Sequence, residues 1–522
     1  MPKRPAGIPV TLPLDARSGT TLQRQVYDGL RAAILAGRLR PGIRLPSTRS
    51  LAADLAVARN TVTAAFGQLV AEGYAEARVG AGTVVARALP DDLTKVAARL
   101  ALDNGRAPAR NRPRISRRGR SLSAARACCD LPTLRPFQPG WPALDQVPLD
   151  LWWRLAMRVG RRLGRELLGH GDPAGYPPLR KAIAEYVAVS RGVRCAAEQV
   201  VVTSGSQQAL FVAAQVLLDP DDTAWVEDPA YPGTVNALRA AGARLVPIPV
   251  DAEGIDVRFA EQRRPAPRVV AVTPSHQYPL GVTMTLARRL ELLRLARRAR
   301  AWLLEDDYDS EFRYSSRPIP ALQGLDQDGR VIYLGTFSKT LFPALRLGYA
   351  VVPADLVRPF TAARSVLDVH SPVLEQAVLA EFITGGYFER HLRRMRALYA
   401  ERQQVLLEEA RRHLAGLVEL APSGAGLQCV GWLAPGLDDQ AAARAAAAHD
   451  VDVTPVSRFA LRRLSRPGLL LSFGAFEPRQ IRAGVQRLAE ALRAARDGRF
   501  ADEVKAGRKP EPTPQVNSTR MT

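Results

Sequence analysis

From about residue 137 onward, the chain alternates short runs of β-branched residues with longer segments of helical periodicity. Strands that alternate with helices form a mainly parallel sheet covered by helices, which is the arrangement of an α/β domain. The sequence therefore predicts one large α/β domain. Its predicted strands are 200–203, 224–226, 245–250, 269–273, 302–304, 331–334 and 347–352.

The pattern changes after about residue 388. It becomes a helix, then short strands, then a final helix over 478–496, which predicts a smaller α+β subdomain. We expect the large domain to cover 137–387 and the small subdomain to cover 388–498. We expect the polar tail at 499–522 to be disordered.

The segment over 20–86 predicts a separate, mainly helical domain. Apolar residues recur at helical spacing over 22–34, directly after Thr20 and Thr21, either of which can cap a helix. Ser47 is the predicted N-cap of a second helix, and a break at 56–57 separates that helix from a third. The predicted inward residues of the third helix are Val62, Phe66, Leu69 and Val70.

Two short strands around a glycine turn follow the third helix, in AEARVGAGTVVA at 75–86. Three helices and a hairpin in this order predict a winged helix-turn-helix, in which the third helix enters the major groove of DNA. The residues that can face DNA lie on the second helix, at the start of the third helix and in the wing. These candidates are Arg49, Arg59, Asn60, Thr61, Thr63, Gly80, Gly82 and Thr83.

The distribution of charge supports a nucleic-acid partner. The chain carries 73 Lys and Arg against 51 Asp and Glu, a formal net charge of +22. Residues 1–86 contain eleven basic and five acidic residues, and residues 87–136 contain twelve and four. This excess favours a polyanion, although an arginine-rich solvated surface is an alternative explanation. We expect 1–19 to be an N-terminal arm and 87–136 to be a flexible basic linker.

The four cysteines form no CxxC pair and have no histidine at zinc-ligand spacing. The sequence therefore predicts neither a metal site nor a disulfide framework. The N-terminus lacks the apolar core of a signal peptide, and no run of about 18 apolar residues occurs. We expect a cytoplasmic protein that is not bound to a membrane.

The segment YLGTFSKTLFPALRLGY, at 333–349, places a lysine after a buried strand, with an arginine seven positions later. A lysine in a dry pocket has a lowered pKa and can form a Schiff base with an aldehyde. The neighbouring Thr336, Ser338 and Arg346 suit a phosphate. Lys339 is therefore a candidate for binding pyridoxal 5′-phosphate (PLP), which carries both groups.

Three further segments complete this candidate site. Asp306 in LLEDDYDSEF follows a strand, where a carboxylate can keep the pyridine nitrogen protonated, and Tyr308 can hydrogen-bond the ring hydroxyl. Ser206 and Gln207 begin a helix after a glycine turn, where backbone N–H groups can bind a phosphate. Tyr231 in EDPAYPG is a candidate to stack on the ring.

The segment LRPGIRLPSTRSLAADLAVARNTVTAAFGQLVAEGYAEARVGAGTVV resembles the winged helix-turn-helix of GntR-family regulators. The lysine and acidic segments, together with GDPAGYPPLR at 171–180, resemble fold-type I PLP-dependent aminotransferases. The second resemblance implies that Lys339 forms the Schiff base, Asp306 pairs with the pyridinium and Tyr308 contacts the ring hydroxyl. The implied phosphate set is Ser206, Gln207, Thr336, Ser338 and Arg346.

Two positions depart from the aminotransferase pattern. PSHQYPLG replaces the usual NPxG motif, so that Tyr278 occupies the asparagine position, and His276 or Tyr278 is the candidate substitute contact to the cofactor. Leu470 in LLLSF occupies the position of the arginine that clamps the substrate carboxylate. Either another arginine, for example Arg458, takes this role, or no amino acid is turned over.

The two domains together resemble the MocR subfamily of bacterial GntR-type transcription regulators, and it stays open whether the chain is of the pyridoxine-biosynthesis regulator type. This resemblance implies a head-to-tail homodimer that binds promoter DNA and responds to PLP, alone or with an amine as effector. Leu470 favours a sensor of PLP itself over an enzyme. One alternative is a genuine PLP-dependent aminotransferase with an appended DNA-binding module. Another is a DNA-binding scaffold without cofactor, against which Lys339 and Arg346 argue.

Overall fold

The computed structural model describes residues 12–15, 18–78, 82–90, 115–123, 134–263, 265–314 and 319–497. The chain divides into two compact units, Met1–Arg114 and Ile115–Thr522. The finer domain boundaries expected from the sequence remain predictions. The expected tail at 499–522 lies outside the described residues.

The first unit contains three helices and a two-stranded antiparallel hairpin. Its elements are α1 (Leu22–Leu35), α2 (Thr48–Asp54), α3 (Arg59–Ala71), β1 (Ala75–Arg78) and β2 (Gly82–Val85). The side chain of Thr21 accepts a hydrogen bond from the backbone of Arg24, and Ser47 accepts one from the backbone of Ser50. These caps satisfy free N–H groups of the first helical turn.

The core of the first unit forms where α1 and α3 face each other. Val26, Leu30, Val62 and Leu69 are fully buried there. The prediction that Val70 points inward is wrong, because 36% of its surface is exposed. Val70 lies about 100° around the helix from Leu69, which turns its side chain toward solvent.

The second unit is built on an eight-stranded sheet. Its strands are β3 (Val200–Thr203), β4 (Thr223–Asp228), β5 (Arg244–Asp251), β6 (Gly254–Ile255), β7 (Val269–Val272), β8 (Trp302–Asp307), β9 (Val331–Thr336) and β10 (Gly348–Val351). Their order is β3-β10-β9-β8-β7-β4-β5-β6. The pairs among β5, β4, β7, β8 and β9 are parallel, whereas β10 is antiparallel to β3 and β9, and β6 is antiparallel to β5. The predicted α/β domain with a mainly parallel sheet is confirmed.

Helices cover this sheet. They are α4 (Arg117–Ser123), α5 (Leu149–Leu163), α6 (Pro177–Arg191), α7 (Ser206–Leu217), α8 (Pro232–Ala240), α9 (Val257–Glu261), α10 (Leu286–Ala299), α11 (Leu322–Leu325), α12 (Val357–Asp368) and α13 (Val373–Thr384). Several of them begin directly after a strand, as α7 does after β3. This places helix N-termini at the carboxyl edge of the sheet.

One helix lies inside the segment expected to be a linker. α4 falls within 87–136 and contacts α8 of the large domain. The helical periodicity of apolar residues in this arginine-rich stretch is too weak to indicate a helix from the sequence. Contact with α8 can stabilise a short helix of this kind.

The smaller α+β part follows α13. It consists of α14 (Tyr387–His413), β11 (Val418–Leu420), β12 (Gln428–Leu433), α15 (Asp439–Ala448), β13 (Thr454–Pro455), β14 (Gly468–Ser472) and α16 (Pro478–Arg496). The strands form an antiparallel sheet in the order β11-β12-β14-β13. Because side chains alternate along a strand, Leu469 and Leu471 join the main core, whereas Leu470 faces the opposite side. No helix of the described residues is long and apolar enough to cross a membrane.

Candidate functional site

Lys339 lies three residues beyond β9, at the carboxyl edge of the sheet. Its Nζ donates a hydrogen bond to the backbone carbonyl of Gly140 at 2.6 Å. Gly140 has a φ of +95°, a conformation that L side chains rarely adopt, and this allows its carbonyl to approach the lysine. The amine is therefore held at the edge where the neighbouring parallel strands also end.

Asp306 is the next-to-last residue of β8 and is only 5% exposed. Its Oδ1 atom is buried and has no hydrogen-bond partner among the described residues. Burial, followed by the charges of the nearby Asp307, Asp309 and Glu227, raises the pKa of this carboxyl to about 7, whereas the charge of Lys339 opposes the shift. A buried acceptor of this kind requires a proton donor that the described chain does not supply.

Asp307, the next residue, has its partners on the other side of the strand. Its Oδ2 accepts hydrogen bonds from Arg191 Nε at 2.8 Å and from the Tyr333 hydroxyl at 2.8 Å. Burial acts to raise the pKa of Asp307, but the charge of Arg191, the neighbouring Ser310 hydroxyl and the hydrogen bonds from Tyr333 and Arg191 together lower the pKa below its ordinary value. Asp307 is thus part of a buried ion pair that supports the strand.

Glu227 is a buried carboxyl of the site that sequence reasoning missed. It lies in β4, and its Oε2 accepts hydrogen bonds from Thr273 Oγ1 at 2.6 Å and from Gln277 Nε2 at 3.1 Å. Burial raises its pKa to about 7. Glu227, Thr273, Tyr231 and Asp306 line one small cavity. The signal was present in the sequence, because Glu227 is an acid that directly follows the apolar run 224–226 of this strand.

His276 is the centre of a buried polar cluster. Its Nδ1 lies 3.0 Å from Asp309 Oδ2 and 3.0 Å from the Tyr308 hydroxyl, and its Nε2 lies 3.2 Å from Ser423 Oγ. His276 and Asp309 are almost fully buried. Burial, with Asp309 next in size, raises the pKa of Tyr308 well above its ordinary value. The cluster fixes the phenolic group of Tyr308 in its neutral form.

Tyr278 packs among other aromatic rings. Its ring centroid lies 5.4 Å from that of Tyr231, 5.9 Å from that of Tyr308 and 5.2 Å from that of Phe459, in edge-to-face arrangements. Offset and edge-to-face contacts of this kind favour fixed ring positions. Tyr278 therefore connects the Asp306 region with the small sheet, to which Phe459 is close.

The candidate phosphate residues converge at the start of α7. Gly205 has a φ of +100°, and a Cβ at this position would lie 3.3 Å from Arg346 Nη2. Arg346 Nη2 donates a hydrogen bond to the carbonyl of Ser204 at 2.6 Å, and Ser206 and Gln207 are the first two residues of α7. The free N–H groups of a helix N-terminus beside a guanidinium form an anion site.

Thr336 and Ser338 lie on the adjacent loop after β9. Thr336 Oγ1 accepts a hydrogen bond from the Ser338 backbone at 3.2 Å. The structure therefore brings the candidate phosphate residues to the same edge as Lys339 and Asp306. This set of groups fits a pyridine aldehyde that carries a phosphate. Lys339 supplies an amine, Asp306 supplies a buried carboxyl whose Oδ1 has no described donor, and the helix N-terminus after Gly205 supplies N–H groups.

The position of the usual carboxylate arginine is closed by apolar side chains. Leu470 is fully buried, in a cluster with Val430, Val456 and Phe459, against which Tyr278 packs. Arg458, the candidate replacement, is exposed, whereas its neighbour Phe459 contacts Tyr278.

The candidate DNA residues occupy the outer surface of the first unit. Arg49 on α2 and Arg59, Asn60 and Thr63 on α3 are exposed, and Thr61 is half-buried. Arg59 Nε donates a hydrogen bond to Thr48 Oγ1 at 3.4 Å. The start of α3 is therefore accessible from outside the unit.

The wing adds a further basic residue. Gly82 begins β2 with a φ of +79°, and a Cβ there would lie 3.2 Å from Arg44 Nε. Thr83 is half-buried, and its carbonyl accepts a hydrogen bond from the backbone of Leu45 at 2.8 Å. Gly80 lies outside the described residues. Sequence reasoning missed Arg44, since its closeness to the wing depends on backbone pairing between Arg44 and Val84.

Two families match this chain. Residues 142–488 match the family described as aminotransferase class I and II, and residues 22–85 match the family described as bacterial regulatory proteins, gntR family. The two matches lie in the second and the first unit, respectively.

Individual proteins match over nearly the whole chain. The chain is 44% identical over 483 residues to the probable rhizopine catabolism regulatory protein MocR of Rhizobium meliloti, covering 92% of this chain and 96% of that protein. It is 29% identical to the pyridoxine biosynthesis transcriptional regulator PdxR of Corynebacterium glutamicum, covering 93% and 99%. Among solved structures, the α-aminoadipate aminotransferase LysN of Thermus thermophilus, complexed with N-(5′-phosphopyridoxyl)-L-leucine, superposes with a TM-score of 0.65 at 30% identity. That match covers 73% of this chain and 95% of LysN.

Proposed function

Since the chain belongs to the aminotransferase class I and II family and carries a gntR-family regulatory domain, we propose that it is a PLP-responsive transcription regulator. In this proposal the winged helix binds promoter DNA. The aminotransferase-like domain binds PLP, alone or with an amine. Such a regulator acts in the cytoplasm beside the DNA. Two relatives with the same two domains bear the names of regulators.

The observation that carries the cofactor proposal is the buried Oδ1 of Asp306. It has no hydrogen-bond partner among the described residues and lies in a cavity shared with Tyr231. The N–H group of a protonated pyridine can donate a hydrogen bond to such a carboxylate. PLP, when bound, supplies an aldehyde that reacts with primary amines.

In this proposal, different residues around the cavity bind different parts of the cofactor. Asp306 holds a proton on the ring nitrogen, and Tyr308 presents a neutral hydroxyl fixed by His276. Lys339 supplies the amine that meets the aldehyde, and Gly140 orients it. Arg346 with the first turn of α7 binds the phosphate.

DNA binding is proposed for the exposed face of the first unit. Arg59, Asn60 and Thr63 at the start of α3 are positioned to reach base edges, and Arg44 and Arg49 to reach phosphates. Because contacts to phosphates release counterions, we expect the affinity to fall steeply with salt.

The signal from cofactor to DNA requires two arrangements of the protein with different affinities for the cofactor. We propose that they are two arrangements of a head-to-tail homodimer. The large domain exposes apolar side chains on α5 that suit self-association, with Trp153 at 62% and Met157 at 59% exposure.

A genuine aminotransferase with an appended DNA module is the second candidate function. It is favoured by the presence of Lys339, Asp306, Tyr308 and Arg346 at the expected positions. Leu470 opposes it, since an apolar side chain cannot anchor a carboxylate. A half-reaction assay with common amino acids, followed by the absorbance of the cofactor, separates the two: rapid conversion supports the enzyme.

The test of the proposed function is fluorescence anisotropy with DNA from upstream of the protein's own gene, at fixed physiological salt, with and without PLP. We expect PLP to change the affinity or its salt dependence, and Lys339→Ala to abolish that change. Lys181→Ala, an exposed lysine on α6, is the matched control and should behave as the wild type. Binding that is indifferent to PLP would contradict cofactor sensing, and no binding at all would contradict the regulator.

A further inference from the structure

The small sheet presents an apolar wall where aminotransferases hold the substrate carboxylate. Leu470 of β14 is fully buried, and Val456 beside it is also fully buried. Phe459 is 7% exposed and belongs to the same apolar cluster as Leu470, and the half-buried Tyr278 packs against this cluster.

This wall is continuous with the proposed cofactor site. Tyr278 contacts Phe459 on one side, and Tyr231 and Tyr308 on the other, with centroid distances between 5.2 and 5.9 Å. Tyr231 lines the same cavity as Asp306. The surroundings of a ligand joined to the cofactor at Lys339 would therefore include aromatic rings and, at position 470, no guanidinium.

The two arginines nearest to Phe459 in sequence are both exposed. Arg458 is exposed on the short helix that carries Phe459. Arg462 donates from Nη2 to the carbonyl of Pro247 at 2.8 Å. A carboxylate placed against Tyr278 and Phe459 would lose hydration without gaining a cation from position 470, which is unfavourable.

We propose that the effector pocket accepts a primary amine whose body carries no carboxylate and presents a neutral, largely apolar surface to Tyr278 and Phe459. This inference rests on the proposed function and narrows its ligand class. The amine joins the cofactor by exchange at the aldehyde carbon. Its nitrogen forms a new C=N bond as the C=N bond to Lys339 breaks, and its two protons pass to the released lysine nitrogen. No oxidant or reductant is needed.

The test uses two ligands that differ only in the carboxylate, 2-phenylethylamine and L-phenylalanine. Each is titrated into the full-length PLP-loaded protein, and apparent dissociation constants are read from the cofactor's absorbance and from anisotropy of bound DNA. We expect 2-phenylethylamine to bind at least about tenfold more tightly, because its binding leaves no carboxylate desolvated without a partner. Equal or tighter binding of L-phenylalanine would overturn the inference.

Leu470→Arg restores a cation at the wall and should shift the preference toward L-phenylalanine by about tenfold or more. Leu470→Met, which conserves volume, is the matched control and should keep the preference of the wild type. An unchanged preference in a folded Leu470→Arg protein would contradict the role of this position. If the arginine variant does not fold, the comparison of the two ligands on the wild-type protein is the test of the inference.

Two failures are distinguishable in this experiment. If PLP produces no protein-bound absorbance, the proposed cofactor function fails. If PLP binds and changes DNA affinity but neither ligand alters either readout, the amine inference is overturned and sensing of PLP itself stands.

Discussion

Asp306 and Asp307 are neighbours in one strand, yet the pKa of the first carboxyl is raised and that of the second is lowered. Both are buried, so burial alone does not explain the difference. Oδ1 of each carboxyl has no hydrogen-bond partner among the described residues, but Asp307 Oδ2 accepts a hydrogen bond from Arg191 Nε at 2.8 Å, whereas Asp306 lines a small cavity. The alternation of side chains along a strand thus places one acid in a buried ion pair and the other beside the cavity.

Asp306→Asn should weaken PLP binding by roughly 10-fold or more, since a hydrogen bond to a charged group contributes about 1.5–3 kcal/mol. The cofactor-free protein should be at least as stable as the wild type, because the variant removes a buried carboxyl whose Oδ1 has no described partner. Absorbance titration with PLP and thermal unfolding without it measure both effects. A stable variant with unchanged PLP affinity would remove Asp306 from the site.

In contrast to Asp306→Asn, Asp307→Asn should mainly lower the stability of the protein. It leaves the Arg191 guanidinium buried without its carboxylate, and breaking such a pair costs about 3–5 kcal/mol. We expect a large drop in the midpoint of urea unfolding, and cofactor affinity changed mainly through loss of folded protein. Unfolding of Asp306→Asn in the same buffer is the control, and equal stability of the two variants would contradict the assignment.

The stability of the cofactor-free protein should fall as the pH rises from about 5 to 8. Burial raises the pKa of Glu227 from 4.5 to about 7, so the folded state binds a proton that the unfolded state has already released in this range. The stabilisation is complete below the unfolded pKa and is lost as the pH passes the folded pKa. Glu227→Gln should reduce the fall of the unfolding free energy in this range without abolishing it, because the pKa of Asp306 is also raised to about 7, chiefly by burial. Glu185→Gln, at an exposed position on α6, should leave the profile unchanged.

Arg59→Ala should weaken DNA binding. If Arg59 contacts one phosphate, the slope of log affinity against log salt should decrease in magnitude by about 0.9; if it reads a base, the loss should depend on operator sequence instead. Anisotropy titrations over a salt series measure the slope. Arg24→Ala, in an exposed ion pair with Asp28 on α1, serves as a control for charge alone and should change affinity little. Equal losses from both variants would argue for a general charge effect.

The sequence predicted the elements because local patterns encode them. The β-branched run at 200–203 coincides with β3, and the final helix over 478–496 with α16. Thr21 and Ser47 act as caps, as their residue types indicate. The location of Lys339 and Asp306 at one edge of the sheet was also predictable, since Lys339 follows β9, Asp306 is next to last in β8, and parallel strands bring their carboxyl ends to one edge.

The relationships across the chain were not predictable in this way. Glu227 approaches Asp306 only because β4 and β8 flank β7 in the sheet, and Arg44 approaches Gly82 only through backbone pairing. Leu470 could be recognised from the sequence as a missing arginine. That Tyr278 packs against the cluster of Phe459 and Leu470 follows from packing between distant segments.

The amino-acid sequence by itself determined the two domain types and their order, and it made Lys339 the candidate for binding the cofactor, because periodicity, caps and motifs are local properties of the chain. The tertiary structure decided which buried carboxyl has a partner, which arginine is exposed and which side chains surround position 470. Those properties depend on contacts between residues far apart in sequence, and the strand order and the alternation of side chains set them.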